Sequence, residues 1–197
     1  MTRLRLPLTR EKAACLCAGD EVTLSGVIYT ARDAAHRRFM ELLDAGKRLP
    51  FDCENAVIYY TGPTPAPPGA VIGSAGPTTS YRMDGFTPRL LALGLRGMIG
   101  KGARSPAVIE AMKAAGAVYF GAIGGAGALL ARHVTACDII AFADLGPEAV
   151  RRLAVKDFPA VVVIDSRGNN LYTSGRAAYL AGIKKDDAPG RQMTRTV

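Results

Sequence analysis

Residues 87–120, TPRLLALGLRGMIGKGARSPAVIEAMKAAGAVYF, are the most informative part of this sequence because they contain the same structural unit twice. Each unit opens with a hydroxyl residue followed by proline, which is typical of a helix start, and each helix closes on a glycine before a short apolar run. The starts are Thr87-Pro88 and Ser105-Pro106, the closing glycines are Gly94 and Gly116, and the apolar runs are 96–99 and 117–120. Two helix-to-strand units in succession predict an α/β fold.

The flanking sequence extends this alternation in both directions. Residues 21–29 alternate in hydrophobicity, and residues 31–46 then carry apolar side chains at helical spacing, so a strand is predicted to run into a helix that stops at Gly46. Further strands are predicted at 56–60, 70–74, 138–142 and 160–164, and further helices at 124–132 and 174–180. Because strands are more frequent in the first half than in the second, the sheet is expected to be mixed.

The length and composition indicate one folded domain. With 197 residues, 49% of them hydrophobic and 21% charged, the chain is long enough to bury a core and too apolar to be disordered. We expect a single α/β domain over residues 1–183 and a basic, loosely ordered tail over 184–197. No apolar run approaches the roughly 18 residues of a membrane span. The first 21 residues carry charges throughout, unlike a secretion signal, so a cytoplasmic location is expected.

The net charge indicates which partners to expect, and the cysteines indicate whether to expect a metal site. Lys and Arg outnumber Asp and Glu by 25 to 17, and the net charge of +8 favours an anionic partner. Aromatic residues make up 7% and are scattered, so nucleic acid is not expected as a partner. The four cysteines form no C-x-x-C pair and have no histidine at ligand spacing, so we expect free thiols and no metal site in this chain. They are Cys15, Cys17, Cys53 and Cys137.

Two glycine-rich segments invite comparison with nucleotide-binding loops, but their spacing differs from the two common motifs. Five residues separate Gly94 from Gly100, where a P-loop needs four, and Lys101 is followed by glycine rather than by Ser or Thr. The G-x-G that begins at Gly125 continues to Leu130 instead of a third glycine, and no acidic residue closes a strand about 20 residues later. We therefore expect the second segment to serve tight packing between a strand and a helix, with an anion at the helix N-terminus as the alternative.

A group of cationic and hydroxyl side chains stands at the predicted ends of strands and helices. Small ligands bind at such ends in α/β folds, and a dicarboxylate would use Arg and Lys for its charges and hydroxyls for the remaining lone pairs. The group comprises Arg32 and His36, four residues apart on one helix face, with Thr78, Thr79, Arg82 and Lys101. A solvated charged surface is the alternative interpretation. The two histidines, His36 and His133, are not paired with a nucleophile by any motif.

Four ordered segments resemble one enzyme family. They are TARDAAHRRF (30–39), GPTTSYRMD (76–84), GMIGKG (97–102) and DSRGNNLY (165–172). These segments resemble the signature segments of the β subunit of class I, iron–sulfur-dependent fumarate hydratase, a family that includes the L-tartrate dehydratase β subunit. The resemblance runs from about residue 20 to 180. It implies a swivelling β/β/α domain and a hetero-oligomer, in which an α subunit or α domain carries a [4Fe–4S] cluster on three cysteines.

The resemblance also implies roles for individual residues. The threonine of the GPTT turn that matches the proposed base at C3 is Thr78. The residues that match the binding site for the substrate carboxylates are Arg32, Arg82 and Lys101, with Thr79 beside them. The supporting candidates are Asp33 and His36 at the helix start and Asn169 in a turn. Because a threonine hydroxyl is a poor base at neutral pH, the role of Thr78 requires adjacent cations that stabilise its alkoxide.

One departure from the family pattern leaves the substrate open. The family commonly has glycine before the arginine of the RMD segment, whereas this chain has the bulky Tyr81. Reversible hydration of fumarate to L-malate is the leading hypothesis, because residues 82–88 resemble fumarases more than tartrate dehydratases. L-tartrate or another C4 hydroxy-diacid is the alternative, since one hydroxyl is distinguished by pocket walls that belong partly to the partner. A non-catalytic module that binds anions or a partner is the third hypothesis.

Overall fold

Seven strands and six α-helices make up the part of the chain that the structure describes. The computed structural model describes residues 1–186. The strands are Thr2–Arg5 (β1), Glu21–Thr30 (β2), Val57–Tyr59 (β3), Gly97–Gly100 (β4), Val118–Gly121 (β5), Val134–Ala141 (β6) and Val150–Ile164 (β7). The helices are Arg10–Ala14 (α1), Asp33–Asp44 (α2), Thr87–Ala92 (α3), Pro106–Ala115 (α4), Gly127–Ala131 (α5) and Leu171–Asp186 (α6), and two 3-10 segments are Ser80–Met83 and Ala143–Glu148. The strands form one sheet in the order β1-β2-β3-β4-β5-β7-β6.

Strand β7 closes this sheet into a small barrel. It runs antiparallel to β2, from Val161 opposite Glu21 to Arg151 opposite Thr30, and its second half also pairs with β5. The parallel strands β2, β3, β4 and β5 complete the ring, and β1 and β6 extend it at its sides. A break in the β2–β7 register at Gly26, where φ is 134°, bends β2 in a conformation that glycine adopts readily. The predicted mixed α/β sheet is therefore confirmed.

The apolar side chains divide into two layers because successive strand residues point to opposite faces of a sheet. Tyr59 faces the barrel interior, where its ring centroid lies 5.4 Å from that of Phe158. Tyr60 belongs to the outer layer, which α2, α3 and α4 cover with buried side chains such as Phe39 and Met112. The closed mixed sheet and the helices on its outer face agree with the α/β fold that the resemblance implied.

The capping signals in the sequence predicted the start and the end of α4 correctly. Ser105 caps α4, its side-chain oxygen accepting a hydrogen bond from the amide of Val108 at 3.4 Å, and Pro106 is the first helical residue. Gly116 ends the helix in the left-handed region at φ 66°, the usual conformation of a closing glycine. The two strands predicted after the closing glycines are β4 and β5, so both predicted helix-to-strand units are confirmed.

One predicted strand is wrong, and several bounds differ. Residues 70–74 form a loop, because the amide of Thr64 donates to the carbonyl of Ser74 and turns the proline-rich stretch back on itself. Strands predicted at 138–142 and 160–164 overlap the longer β6 and β7, and helices predicted at 124–132 and 174–180 correspond to a shorter α5 and a longer α6. Neither β1 nor α1 was predicted, because the charged residues of this amino-terminal stretch interrupt its apolar pattern.

The carboxyl-terminal boundary of the domain stays a prediction. The tail expected over 184–197 begins inside α6, and residues 187–197 lie outside the described part of the chain. Among the helices of residues 1–186, none combines the length and the hydropathy that crossing a membrane requires.

Candidate active site

The parallel strands end side by side at one rim of the barrel, which we call the carboxyl rim. Thr30 at the end of β2 pairs with Tyr59 of β3, and Gly100 at the end of β4 pairs with Gly121 of β5. Strand β7 begins at the same rim because its Arg151 lies opposite Thr30. Ligands of α/β sheets bind beyond such carboxyl ends, and most of the predicted site residues follow these strands.

Backbone hydrogen bonds bring the predicted hydroxyl residues next to the predicted lysine. The amide of Thr78 donates to the carbonyl of Tyr60 at 2.6 Å, and the amide of Lys101 donates to the carbonyl of Thr78 at 3.3 Å. Thr79 lies opposite Lys101 as a parallel bridge partner. Gly100 permits this approach, because a Cβ there would lie 2.0 Å from Oγ of Ser80. Thr78, Thr79 and Lys101 thus extend the sheet by one short pairing at the carboxyl rim.

The predicted arginines meet at one carboxylate. Arg82 donates from Nε to Oδ1 of Asp33 at 2.8 Å and from Nη2 to Oδ2 at 2.7 Å, a two-pronged ion pair. Arg32 lies on the other side of this carboxylate, with Nε 3.7 Å from Oδ2, and its Nη2 is 3.6 Å from Oε1 of Glu148. The four side chains therefore alternate in sign as Glu148, Arg32, Asp33 and Arg82. Sequence reasoning anticipated three of them and missed Glu148.

His36 is buried beneath Arg32 and does not reach the carboxyl rim. The side chain is fully buried among the rings of Phe39, Tyr60 and Phe86, and this burial lowers the pKa of His36 from 6.5 to about 4. Its Nδ1 lies 2.8 Å from the carbonyl oxygen of Arg32, so Nδ1 carries the proton and donates it there. His36 is thus a neutral group that holds the backbone of the residue before α2.

A buried ion pair fastens the loop that carries Arg82. The Arg104 guanidinium has no exposed side-chain surface and donates from Nε to Oδ1 of Asp84 at 2.7 Å and from Nη2 to the hydroxyl of Thr87 at 2.7 Å. The other Asp84 oxygen accepts from the amide of Ser105 at 2.6 Å. No sequence pattern signalled this pair, because its members are 20 residues apart in different connecting segments.

The comparison with protein families decides the family. The family model described as Fumarase C-terminus matches residues 1–175. The chain belongs to this family. Fumarate hydratase 2 of Leishmania major is 39% identical over 166 residues, which are 83% of this chain and 29% of that protein. A protein of Geobacillus stearothermophilus provisionally named fumarate hydratase class I is 38% identical over 191 residues, 94% of this chain and 36% of the relative.

A second kind of relative has nearly the same length as this chain. A protein of Methanocaldococcus jannaschii provisionally named L(+)-tartrate dehydratase subunit beta is 40% identical over 171 residues, 84% of this chain and 88% of the relative. This fumarase-family chain therefore spans about a third of the fumarate hydratases that it matches and most of a β subunit. The names of all three relatives denote hydro-lyases, enzymes that add or remove water.

The cysteines of this fumarase-family chain do not form a cluster site. Among residues 1–186, no three His, Cys, Asp or Glu side chains gather in an arrangement that could hold a metal ion. Cys15 and Cys17 are exposed, Cys137 lies on β6, and Cys53 is buried, which raises the pKa of its thiol to about 12. The described residues therefore do not fit an iron–sulfur cluster by themselves.

Of two further residues named from the sequence, Asn169 lies apart from Arg32 and Arg82, and Tyr81 adjoins Arg82. Asn169 bonds Asp165 through its side-chain amide at 2.8 Å, just after β7 ends opposite the start of β5, at the end of the barrel away from the carboxyl rim. Its geometry is that of a residue shaping a turn. Tyr81 lies between Ser80 and Arg82 with 65% of its surface exposed, so its ring projects at the carboxyl rim.

Proposed function

We propose that this chain is the substrate-binding β part of a [4Fe–4S]-dependent hydro-lyase that interconverts fumarate and L-malate. The observation that carries the proposal is the position of these residues beyond the strand ends at the carboxyl rim, where Arg32 and Arg82 share Asp33 and where Thr78 and Thr79 pair with Lys101. The relatives named fumarate hydratase support the reaction type. The α part, either a separate subunit or another domain, would hold the cluster, because the described cysteines of this chain do not gather.

The arginines suit the recognition of a dicarboxylate. Asp33 occupies the Nε and Nη2 edge of Arg82, which leaves the hydrogens of Nη1 for a second carboxylate. Arg32 provides another planar fork beside it, and Lys101 adds a point charge from the end of β4, two strands away in the sheet. Three cations against the carboxylates of Asp33 and Glu148 leave the group with a positive excess, which favours an anionic substrate.

Thr78 would transfer the proton at C3 of the substrate. A threonine hydroxyl needs a nearby positive charge to act as a base at neutral pH, because its alkoxide is otherwise too unstable. The backbone bond from Lys101 to Thr78 keeps these residues adjacent, and the bond from Thr78 to Tyr60 anchors the turn to β3. Thr79, opposite Lys101, provides a further hydroxyl for the substrate carboxylates.

Anaerobic hydration of fumarate tests the proposal. The chain alone and the chain mixed with a cluster-loaded α part are assayed, and turnover is expected only in the mixture. Thr78→Val, which removes the hydroxyl and keeps the shape, should lower kcat by at least about 100-fold, and Thr78→Ser should retain much of it. Lys101→Met should also lower turnover, whereas Lys113→Met, an exposed lysine of α4 that pairs with Glu110, should not. Full activity of Thr78→Val or Lys101→Met would contradict the site.

Dehydration of L-tartrate is the second candidate reaction. It is favoured by the relative named as a tartrate dehydratase β subunit, 88% of which aligns with this chain. The exposed ring of Tyr81 beside Arg82 adds a bulky group where substrate size and polarity are distinguished. The same mixture is therefore assayed with L-tartrate and with L-malate, and the ratio of the two kcat/KM values decides the substrate.

A further inference from the structure

Glu148 contacts the predicted site from a distant part of the chain. It is the last residue of the 3-10 segment Ala143–Glu148, two positions before β7 begins at Val150, and its side chain is 26% exposed. Its Oε2 accepts from the amide of Ala34 at 2.8 Å, across 114 residues of sequence, and satisfies one of the free N–H groups in the first turn of α2. Its Oε1 lies 3.6 Å from Nη2 of Arg32. One carboxylate thus holds both α2 and the arginine before it.

Glu148 is the carboxylate that faces Arg32 without a competing cation. Asp33 is also near Arg32, but both of its oxygens accept from Arg82 at 2.7 to 2.8 Å. Nε of Arg32 is buried and makes no hydrogen bond within residues 1–186. Among the ion pairs of these residues, Glu148 has no cationic partner besides Arg32. The orientation of the Arg32 guanidinium therefore rests on a charge that no other cation shares.

The backbone around Arg32 restricts the guanidinium further. A Cβ at Gly62, just beyond β3, would lie 3.0 Å from Nη1 of Arg32 and 3.2 Å from the carbonyl oxygen of Pro147. The guanidinium therefore lies between the loop after β3 and the segment that carries Glu148. A fork held in this way loses less conformational freedom when it binds a carboxylate.

We propose that Glu148 is a positioning residue that orients Arg32 for a substrate carboxylate. The inference rests on the proposed function only in taking the ligand as a C4 dicarboxylate. Replacing Glu148 by Gln keeps an oxygen acceptor for the amide of Ala34 and removes the charge that holds Arg32. Asp144 offers a matched control, since it lies on the same 3-10 segment and pairs with Arg38, which lies one helical turn after Ala34 in α2.

The first measurement uses the full chain without a partner. In ¹⁵N-labelled protein, Glu148→Gln should shift or broaden the Nε–H resonance of Arg32 and leave the amide of Ala34 protected from hydrogen exchange. Asp144→Asn should leave the Arg32 resonance in place. An Arg32 resonance that is the same in Glu148→Gln and in the wild type overturns the proposal.

The second measurement uses the enzyme assembled with its α part. Glu148→Gln should raise KM for fumarate about tenfold with kcat little changed, because Arg32 binds substrate and transition state alike. A fall in kcat at unchanged KM, or kinetics like those of Asp144→Asn, overturns the proposal. If the wild-type assembly acts on no C4 diacid, the proposed function falls, and the Arg32 resonance still decides whether Glu148 orients this arginine.

Discussion

At the residue scale, His36 shows how burial changes the role of a side chain near a site. Its position four residues after Arg32 indicated a shared helix face at the ligand. The structure buries His36 beneath that face, where its Nδ1–H donates a hydrogen bond to the carbonyl oxygen of Arg32. A neutral imidazole in this position cannot supply charge to a substrate, but it fixes the backbone from which Arg32 projects.

This burial predicts a pH-dependent stability. The pKa of His36 is about 4 in the folded chain, below its ordinary value of 6.5, so the unfolded chain binds a proton that the folded chain excludes. The stabilisation from His36 is therefore present above pH 6.5 and is lost as the pH falls toward 4. Between pH 7.5 and pH 5 this group should remove about 2 kcal/mol from the free energy of unfolding.

Urea unfolding at pH 7.5 and pH 5 checks this prediction. His36→Phe keeps a ring among Phe39, Tyr60 and Phe86 but cannot titrate, so it should lose this part of the pH dependence. His133→Gln, at a half-buried histidine outside this ring cluster, should retain it. The same pH dependence in His36→Phe and the wild type would assign the effect to other groups.

At the scale of elements, the loop of Ser80–Met83 is held to the segment after β4 by the Asp84–Arg104 pair. The guanidinium also lies over the rings of Tyr60 and Tyr119, at 5.4 and 5.3 Å from their centroids. A buried cation that loses its carboxylate leaves an uncompensated charge. Asp84→Asn should therefore lower the free energy of unfolding by about 3 kcal/mol, measured by urea denaturation.

An exposed pair provides the control for this prediction. Arg89 and Asp44 form an ion pair at 2.6 Å with side chains 47% and 67% exposed, so Asp44→Asn should cost no more than about 0.5 kcal/mol. Adding Arg104→Met to Asp84→Asn should recover part of the lost stability, because the buried charge is then removed. Similar small losses in Asp84→Asn and Asp44→Asn would mean that the buried pair does not hold the loop.

At the scale of the whole molecule, the pairing of β2 with β7 creates a closed interior. Phe158 of β7 is fully buried there, opposite Leu24 of β2 and edge-on to Tyr59. Phe158→Ala should lower the free energy of unfolding by about 4 kcal/mol, because a rigid ring of strands cannot collapse around the cavity. Leu129→Ala, at a 60% exposed position, should change it by less than about 0.5 kcal/mol.

Circular dichroism in urea measures both variants, since the chain has no Trp to report by fluorescence. A loss for Phe158→Ala as small as that for Leu129→Ala would show that the interior is loosely packed. One shared transition at all wavelengths is expected for the wild type, because β7 pairs with both β2 and β5 and so closes one ring.

Part of this architecture follows from the sequence alone. The helix that starts at Ser105-Pro106 and ends at Gly116 was predicted correctly because capping and the left-handed conformation are chemistry of a few adjacent residues. The GAIGGAG stretch was interpreted as packing between a strand and a helix, and the structure instead packs the start of α5 against a loop, where a Cβ at Gly127 would lie 2.8 Å from the amide nitrogen of Gly76. The four ordered segments likewise indicated the family, since a family motif is defined by the order and spacing of its residues, which can be read directly from the sequence.

The rest was decided by tertiary structure. Closure of the barrel pairs Glu21 with Val161, the first turn of α2 is capped by Glu148 from 114 residues away, and Arg104 finds Asp84 in another connecting segment. Each of these pairs forms because the fold brings together residues that are far apart in the sequence. Periodicity within a window of a dozen residues therefore cannot predict such pairs. The sequence thus determined which cationic and hydroxyl side chains the chain contains. The closed sheet determined which carboxylates pair with the arginines and at which rim the strand ends lie.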